Sequence, residues 1–144
     1  MKKILTVLLF CVLTIGMASV ASAAEWQPIR NDYDDWTWVF DGQSFKRMDY
    51  KTYSVWLKLE YPETAGAEIA EALKLKAPVA YAFRKHEYNF QDEKSRVVAL
   101  ALYDKKGNTL YSFSDPTQWK QIFPNSIDAS LFNATYDYYK KHYK

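Results

Sequence analysis

Apolar and polar residues alternate along this chain in several short runs, and the pattern switches to a helical period only twice. The densest apolar run, Ser95 to Phe113, predicts a long β-hairpin near the middle of one sheet. In its first arm Val97, Ala99, Ala101 and Tyr103 alternate with Val98, Leu100 and Leu102, so both faces are apolar and both need covering. Asp104-Lys105-Lys106-Gly107 suits a type I turn, with Asp first and Gly last, and Thr109 to Phe113 then runs back. Thr52 to Tyr61 is the clearest amphipathic strand. Tyr53, Val55, Leu57, Leu59 and Tyr61 share its inward face, while Ser54, Trp56, Lys58 and Glu60 share the other.

Around these two runs the remaining elements follow in order. Glu25 to Asp35 has no clean period and reads as a lead-in segment. Trp36 to Phe40 predicts a strand that Asp41-Gly42 turns into Ser44 to Met48, a first hairpin. Pro62 stops the Thr52 strand. Thr64 to Lys76 places Ala65, Ile69, Ala72 and Leu73 at helical spacing, which fits a short amphipathic helix or a partly helical excursion. Val79 to Phe90 returns to strand, with Tyr81 and Phe83 on one parity and Ala82, Arg84, His86, Tyr88 and Phe90 on the other. Trp119 to Ile122 can form one helical turn.

Ser126 then reads as an N-cap and Asp128 as a first-turn acid for a helix from Ile127 to about Lys141. Ile127, Leu131, Ala134 and Tyr138 make one stripe of it, and Phe132, Tyr136, Tyr139 and Tyr143 a second. So wide an apolar face wants a sheet beneath it. The pattern therefore predicts one α+β domain, an antiparallel sheet of about five or six strands with a C-terminal helix packed on one face. The second apolar face of the Ser95 arm is covered either by the Thr64 to Lys76 segment or by a second copy of the chain.

Residues 1–23 read as a cleavable export signal. Lys2 and Lys3 start it, Ile4 to Met17 is apolar, and Ala21-Ser22-Ala23 fits the small-residue cleavage rule, leaving Ala24 to Lys144 as the domain. Cys11, the sole cysteine, lies inside the apolar run after bulky Phe10, so lipidation is not expected. The mature chain then has no membrane anchor and no thiol, which removes disulfides, thiolate metal sites and cysteine nucleophiles. Loss of two lysines also makes its formal charge zero, so no basic field remains to recruit nucleic acid.

Reaction chemistry is sparse. Asn31-Asp32-Tyr33-Asp34-Asp35 resembles a calcium loop only in its acids, since Tyr33 and Trp36 occupy ligand places and no Gly follows. His86 and His142 have no joining spacing, and His86 and Glu87 point to opposite strand faces. No phosphate loop is present in the sequence, and neither a cofactor, a metal nor catalysis is expected. Asn133-Ala134-Thr135 matches a glycosylation acceptor but falls mid-helix.

Three stretches carry a resemblance. They are Trp38-Val-Phe-Asp-Gly-Gln-Ser-Phe45 with Val55-Trp-Leu-Lys58; Ala101-Leu-Tyr-Asp-Lys-Lys-Gly107; and Trp119 followed by Phe123-Pro-Asn-Ser-Ile-Asp-Ala-Ser-Leu-Phe132. In order and spacing the chain resembles the bacterial surface-adhesin protein E family across nearly all of its mature length. That resemblance implies a helix laid on an antiparallel sheet, commonly tied by a disulfide. It places the two cysteines at Phe90 and Tyr136 here, and predicts that these rings pack against each other instead.

It also implies an exported non-enzymatic binding protein, in the periplasm, on the cell surface or secreted, with host matrix or serum proteins as partners. Tyr139, Lys140, Lys141 and Tyr143 at the helix end are the candidate contacts. The alternative is a carbohydrate or small-ligand binding domain using an aromatic sheet face that includes Trp36, Trp38 or Trp56.

Overall fold

A computed structural model describes residues 23–143, so the predicted export signal up to Ser22, Cys11 included, lies outside the described residues. Its elements are β1 (Trp26–Ile29), β2 (Thr37–Asp41), β3 (Lys46–Arg47), β4 (Thr52–Glu60), α1 (Glu63–Ala72), β5 (Tyr81–Asn89), β6 (Lys94–Tyr103), β7 (Thr109–Phe113), β8 (Lys120–Gln121) and α2 (Ile127–Tyr143). The main sheet runs β1-β2-β4-β5-β6-β7, all antiparallel, with the short β3 and β8 attached to β4 and β6. It is the predicted fold: an antiparallel sheet with a C-terminal helix on one face.

β4 is the spine of the sheet. Tyr53, Val55 and Leu57 are fully buried and Leu59 is 1% exposed, so one strand supplies the floor on which α2 rests. Burial of these side chains contributes about 1.5–3 kcal/mol each. The Ser95 arm is an internal strand with β5 and β7 beside it, but it lies one place from the edge rather than at the centre.

The same arm does not keep one alternation. The β5–β6 register slips between Lys85 and His86: His86 faces Val97, whereas Lys85 faces Ala99, and Val98 is the extra residue. A bulge of one residue reverses the parity of everything beyond it. Val97 therefore joins Leu100 and Leu102 on the inner face, while Ala99, Ala101 and Tyr103 face outward.

Three further expectations are corrected. Ser44 to Met48 does not form a hairpin with the preceding strand. β2 and β3 pair in turn along the same edge of β4, and between them Ser44 Oγ accepts the Trp56 N–H at 2.9 Å, bridging the interruption. Trp119 to Ile122 is not helical, because Lys120 and Gln121 extend to pair with Ser95 and Lys94. In α1 the buried residues are Gly66 and Ala70, with Leu73 49% exposed, so the packed face is offset from the predicted stripe. Small side chains decide this, since they let α1 approach the backbone at Val79, whose N–H donates to the Gly66 carbonyl at 3.1 Å.

The predicted turn and cap are present. The Gly107 N–H donates to the Asp104 carbonyl at 3.1 Å, and Gly107 takes φ 83°, a conformation that favours glycine. Ser126 Oγ accepts the Ala129 N–H at 3.2 Å. The buried residues of α2 are Leu131, Phe132, Thr135 and Tyr139, a seam between the two predicted stripes. Tyr139 stacks on Tyr53 with ring centroids 4.6 Å apart. Of the glycosylation-like triplet, Thr135 is fully buried while Asn133 is exposed on the helix.

Candidate functional site

The helix end was the predicted contact region, and the structure divides its four residues. Tyr139 is only 3% exposed and is part of the core, so it is withdrawn as a surface contact. Its place in the helical period puts it over Tyr53 rather than toward solvent. Tyr143 is partly exposed and its hydroxyl donates to the Gly42 carbonyl at 2.6 Å. Lys140 lies 3.3 Å from Asp137 and sits over the Tyr136 ring at 4.6 Å, leaving Lys141 as an exposed cation without such contacts among the described residues.

The opposite side of the sheet offers a larger surface. Strand register puts Trp26, Trp56, Tyr81, Phe83 and Tyr103 on the outer face, the side away from α2. Tyr81 stacks on Tyr103 at 5.0 Å, Phe83 meets both edge-on at 5.8 and 5.6 Å, and Trp26 lies 5.8 Å from Phe83. Trp26, Trp56, Phe83, Ala99, Ala101 and Tyr103 line a shallow hollow of about 410 Å³ on this face. No residue of α1 lines it, so the Thr64 to Lys76 segment does not cover the second apolar face.

Charged side chains rim these rings. Lys58 is over Tyr81 at 5.1 Å and pairs with Glu60 at 3.2 Å, and Lys85 is over Trp56 at 5.9 Å; farther along the strands Arg96 lies over Trp119 at 4.6 Å and pairs with the buried Glu87 at 2.7 Å. Of the three alternative tryptophans, one is placed on the outer face. Trp38 is 3% exposed and faces the core, and Trp36 packs edge-on against Tyr61 at 5.0 Å, so only Trp56 of the three is on the outer face. Trp26, assigned to an irregular lead-in, was missed because β1 is only four residues long and contains a proline.

Elsewhere both histidines pack against tyrosine rings. His86 is buried beside Tyr88, with Nδ1 and the phenol oxygen 3.1 Å apart, and desolvation followed by the nearby Arg84 charge holds its pKa well below the usual value of 6.5. His142 packs on Tyr138 at the C-terminal end of α2. The acidic Asn31 to Asp35 segment is a solvated turn in which Asn31 Oδ1 accepts the Tyr33 N–H and Asp34 Oδ1 the Trp36 N–H. Among the described residues no group of three or more His, Cys, Asp or Glu is arranged to hold a metal, and no helix is long and apolar enough to cross a membrane.

A helix-backed antiparallel sheet with an aromatic, charge-rimmed outer face and no assembled reaction centre among the described residues has the form of a binding module. The chain belongs to the surface-adhesin protein E family, whose model matches residues 26–135. No curated protein and no solved structure gives a significant match. The family suggests a surface adhesin, and with it an extracellular or cell-surface location.

Proposed function

We propose that this chain is an exported, non-enzymatic adhesin that holds a host extracellular-matrix or serum protein on the outer face of its sheet. Export rests on residues 1–23, cleaved after Ala23 to leave one domain. The observation that carries the reading is the four-ring cluster of Trp26, Tyr81, Phe83 and Tyr103, with Trp56 lining the same hollow and Lys58, Glu60 and Lys85 beside the rings. An aromatic centre surrounded by charges of both signs is the anatomy of a protein–protein contact, with Tyr and Trp as anchors and the rim excluding water. Lys140, Lys141 and Tyr143 supply a secondary basic contact at the helix end.

The test is saturable binding of Ala24 to Lys144 to immobilised vitronectin, laminin, fibronectin and plasminogen at physiological and raised salt. Binding to one of them that survives raised salt supports a contact made by ring burial rather than by screened surface charge. Absence of binding to all four overturns the reading. A second copy of the chain would use the same apolar face, and a monomeric mass by light scattering at micromolar concentration removes that occupant. A glycan on Trp26 and Trp56 would shift tryptophan emission across a glycan panel, whereas a protein-specific face leaves it unchanged.

A further inference from the structure

On the inner side of the sheet a second, separate feature lies between the two helices. The space left between α1 and α2 is a cleft of about 610 Å³, within the range of small-ligand sites. Ile69 and Leu73 of α1 and Ile127 and Leu131 of α2 line it together with Leu100 and Leu102 of β6.

Arg84 of β5 also lines this cleft, and its electrostatics are incomplete. The side chain is half-buried over the Trp38 ring at 5.5 Å, its Nε is buried with no hydrogen-bond partner, and no carboxylate lies within ion-pair distance among the described residues. Trp38 Nε1 and His86 Nε2, on two more residues lining the cleft, are buried without partners as well. A guanidinium whose Nε–H is buried without an acceptor beside leucines gains from an anion that supplies one. Asp128 reaches the same cleft, but its Oδ2 accepts the Ser95 hydroxyl at 2.6 Å and it forms no pair with Arg84. Arg96 is already paired with Glu87.

We propose that this cleft binds a small monocarboxylate with an apolar body, its carboxylate against the Arg84 guanidinium and its hydrocarbon against the leucine and isoleucine walls. The planar fork of arginine matches the two oxygens of a carboxylate. Arg84 carries the half-buried unpaired charge of the cleft; Lys120 also lines it but is exposed to solvent, and Asp128 nearby disfavours a dianion such as phosphate. This site uses the face opposite the matrix contact and stands or falls independently of it.

The probes are octanoate, octylamine and 1-octanol, three molecules of one chain length and different charge, titrated calorimetrically into the purified chain. Octanoate is expected to bind saturably and at least tenfold more tightly than octylamine. Arg84→Gln should weaken octanoate at least tenfold while leaving octanol unchanged, and Arg84→Lys should fall between. Leu73→Trp, which narrows the cleft from α1 at a partly exposed position away from the β5–β6 pairing of Arg84, should weaken octanoate at least tenfold, and it carries the test with the head-group comparison if Arg84→Gln does not fold. No octanoate binding, equal affinity for octylamine, or full affinity in Arg84→Gln would overturn the proposal.

Discussion

Phe90 on the sheet side and Tyr136 on α2 stack with ring centroids 5.1 Å apart and planes 13° from parallel. They join a run of near-parallel rings in which Phe132 lies 5.3 Å from Tyr136, and Tyr53 lies 6.2 Å from it. The position where the family resemblance implies a disulfide is thus occupied by stacked aromatic area. Either Phe90→Ala or Tyr136→Ala should cost about 1–3 kcal/mol and lower Tm by several degrees. Thermal unfolding followed by circular dichroism reads this, and an unchanged Tm in both variants refutes the role of the stack.

Beneath that stack a hydroxyl pair fixes α2 over β4. Thr135 donates its one proton to the Leu131 carbonyl at 2.8 Å, so in its 2.9 Å contact with Tyr53 the phenol is the donor. Thr135→Val keeps the shape but leaves the buried phenol unpaired, and should cost about 1–3 kcal/mol. Adding Tyr53→Phe should recover part of that loss in a double-mutant cycle from urea unfolding. Additive losses would show that the two groups do not interact.

Buried titrating groups predict how stability depends on pH. His86 is held neutral in the fold, whereas in the unfolded chain it takes up a proton near its ordinary value of 6.5. The unfolded state therefore binds more protons on the acid side, and stability is complete above pH 6.5 and lost as pH falls below it, by at most about 1.4 kcal/mol per pH unit. His86→Asn, which retains an acceptor for the Tyr88 hydroxyl, should flatten the decline in urea midpoint between pH 6.5 and the lower pKa of the fold. Tyr53 and Tyr88 act in the other direction, since burial pushes both phenols up; stability they protect is complete below pH 10 and lost as pH rises above it. An acid limb identical in wild type and His86→Asn would contradict the assignment.

Gly66 is required by contact. A methyl group built there would overlap the Val79 carbonyl oxygen, a backbone atom that cannot rotate aside. Gly66→Ala, favourable for an isolated helix, should instead destabilise the protein by about 1–3 kcal/mol. The check is the shift in urea midpoint; a stabilised variant would mean that α1 is not seated on Val79.

What was legible in the sequence was local. The inward face of Thr52 to Tyr61, the Asp104 to Gly107 turn and the Ser126 cap each depend on residues within a few positions, and each is present. The misread parts depend on partners far along the chain. Val98 looks like an ordinary strand residue, and only pairing with β5 shows that it is skipped, which moves Val97 to the core side. Lys120 and Gln121 become strand because the start of β6 offers a free edge, not because of any periodicity of their own. Tyr139 looked available at a helix end until Tyr53 was placed beneath it. The outer-face rings were each visible as Trp56, Tyr81, Phe83 and Tyr103, but their meeting on one surface is a consequence of register across three strands.

That outer surface is where the account is most directly exposed to test. Binding isotherms of the wild-type domain, Trp56→Ala/Phe83→Ala and Lys140→Ala/Lys141→Ala on the matrix or serum protein that retains the chain should separate the two faces, with Tm measured for each variant. The prediction is a loss of at least tenfold in affinity, about 1.4 kcal/mol or more, for the outer-face pair at near-native Tm, and a smaller, salt-sensitive change for the lysine pair. Full affinity in Trp56→Ala/Phe83→Ala, or wild-type binding to none of the proteins, would contradict the assignment of this face as the adhesive surface.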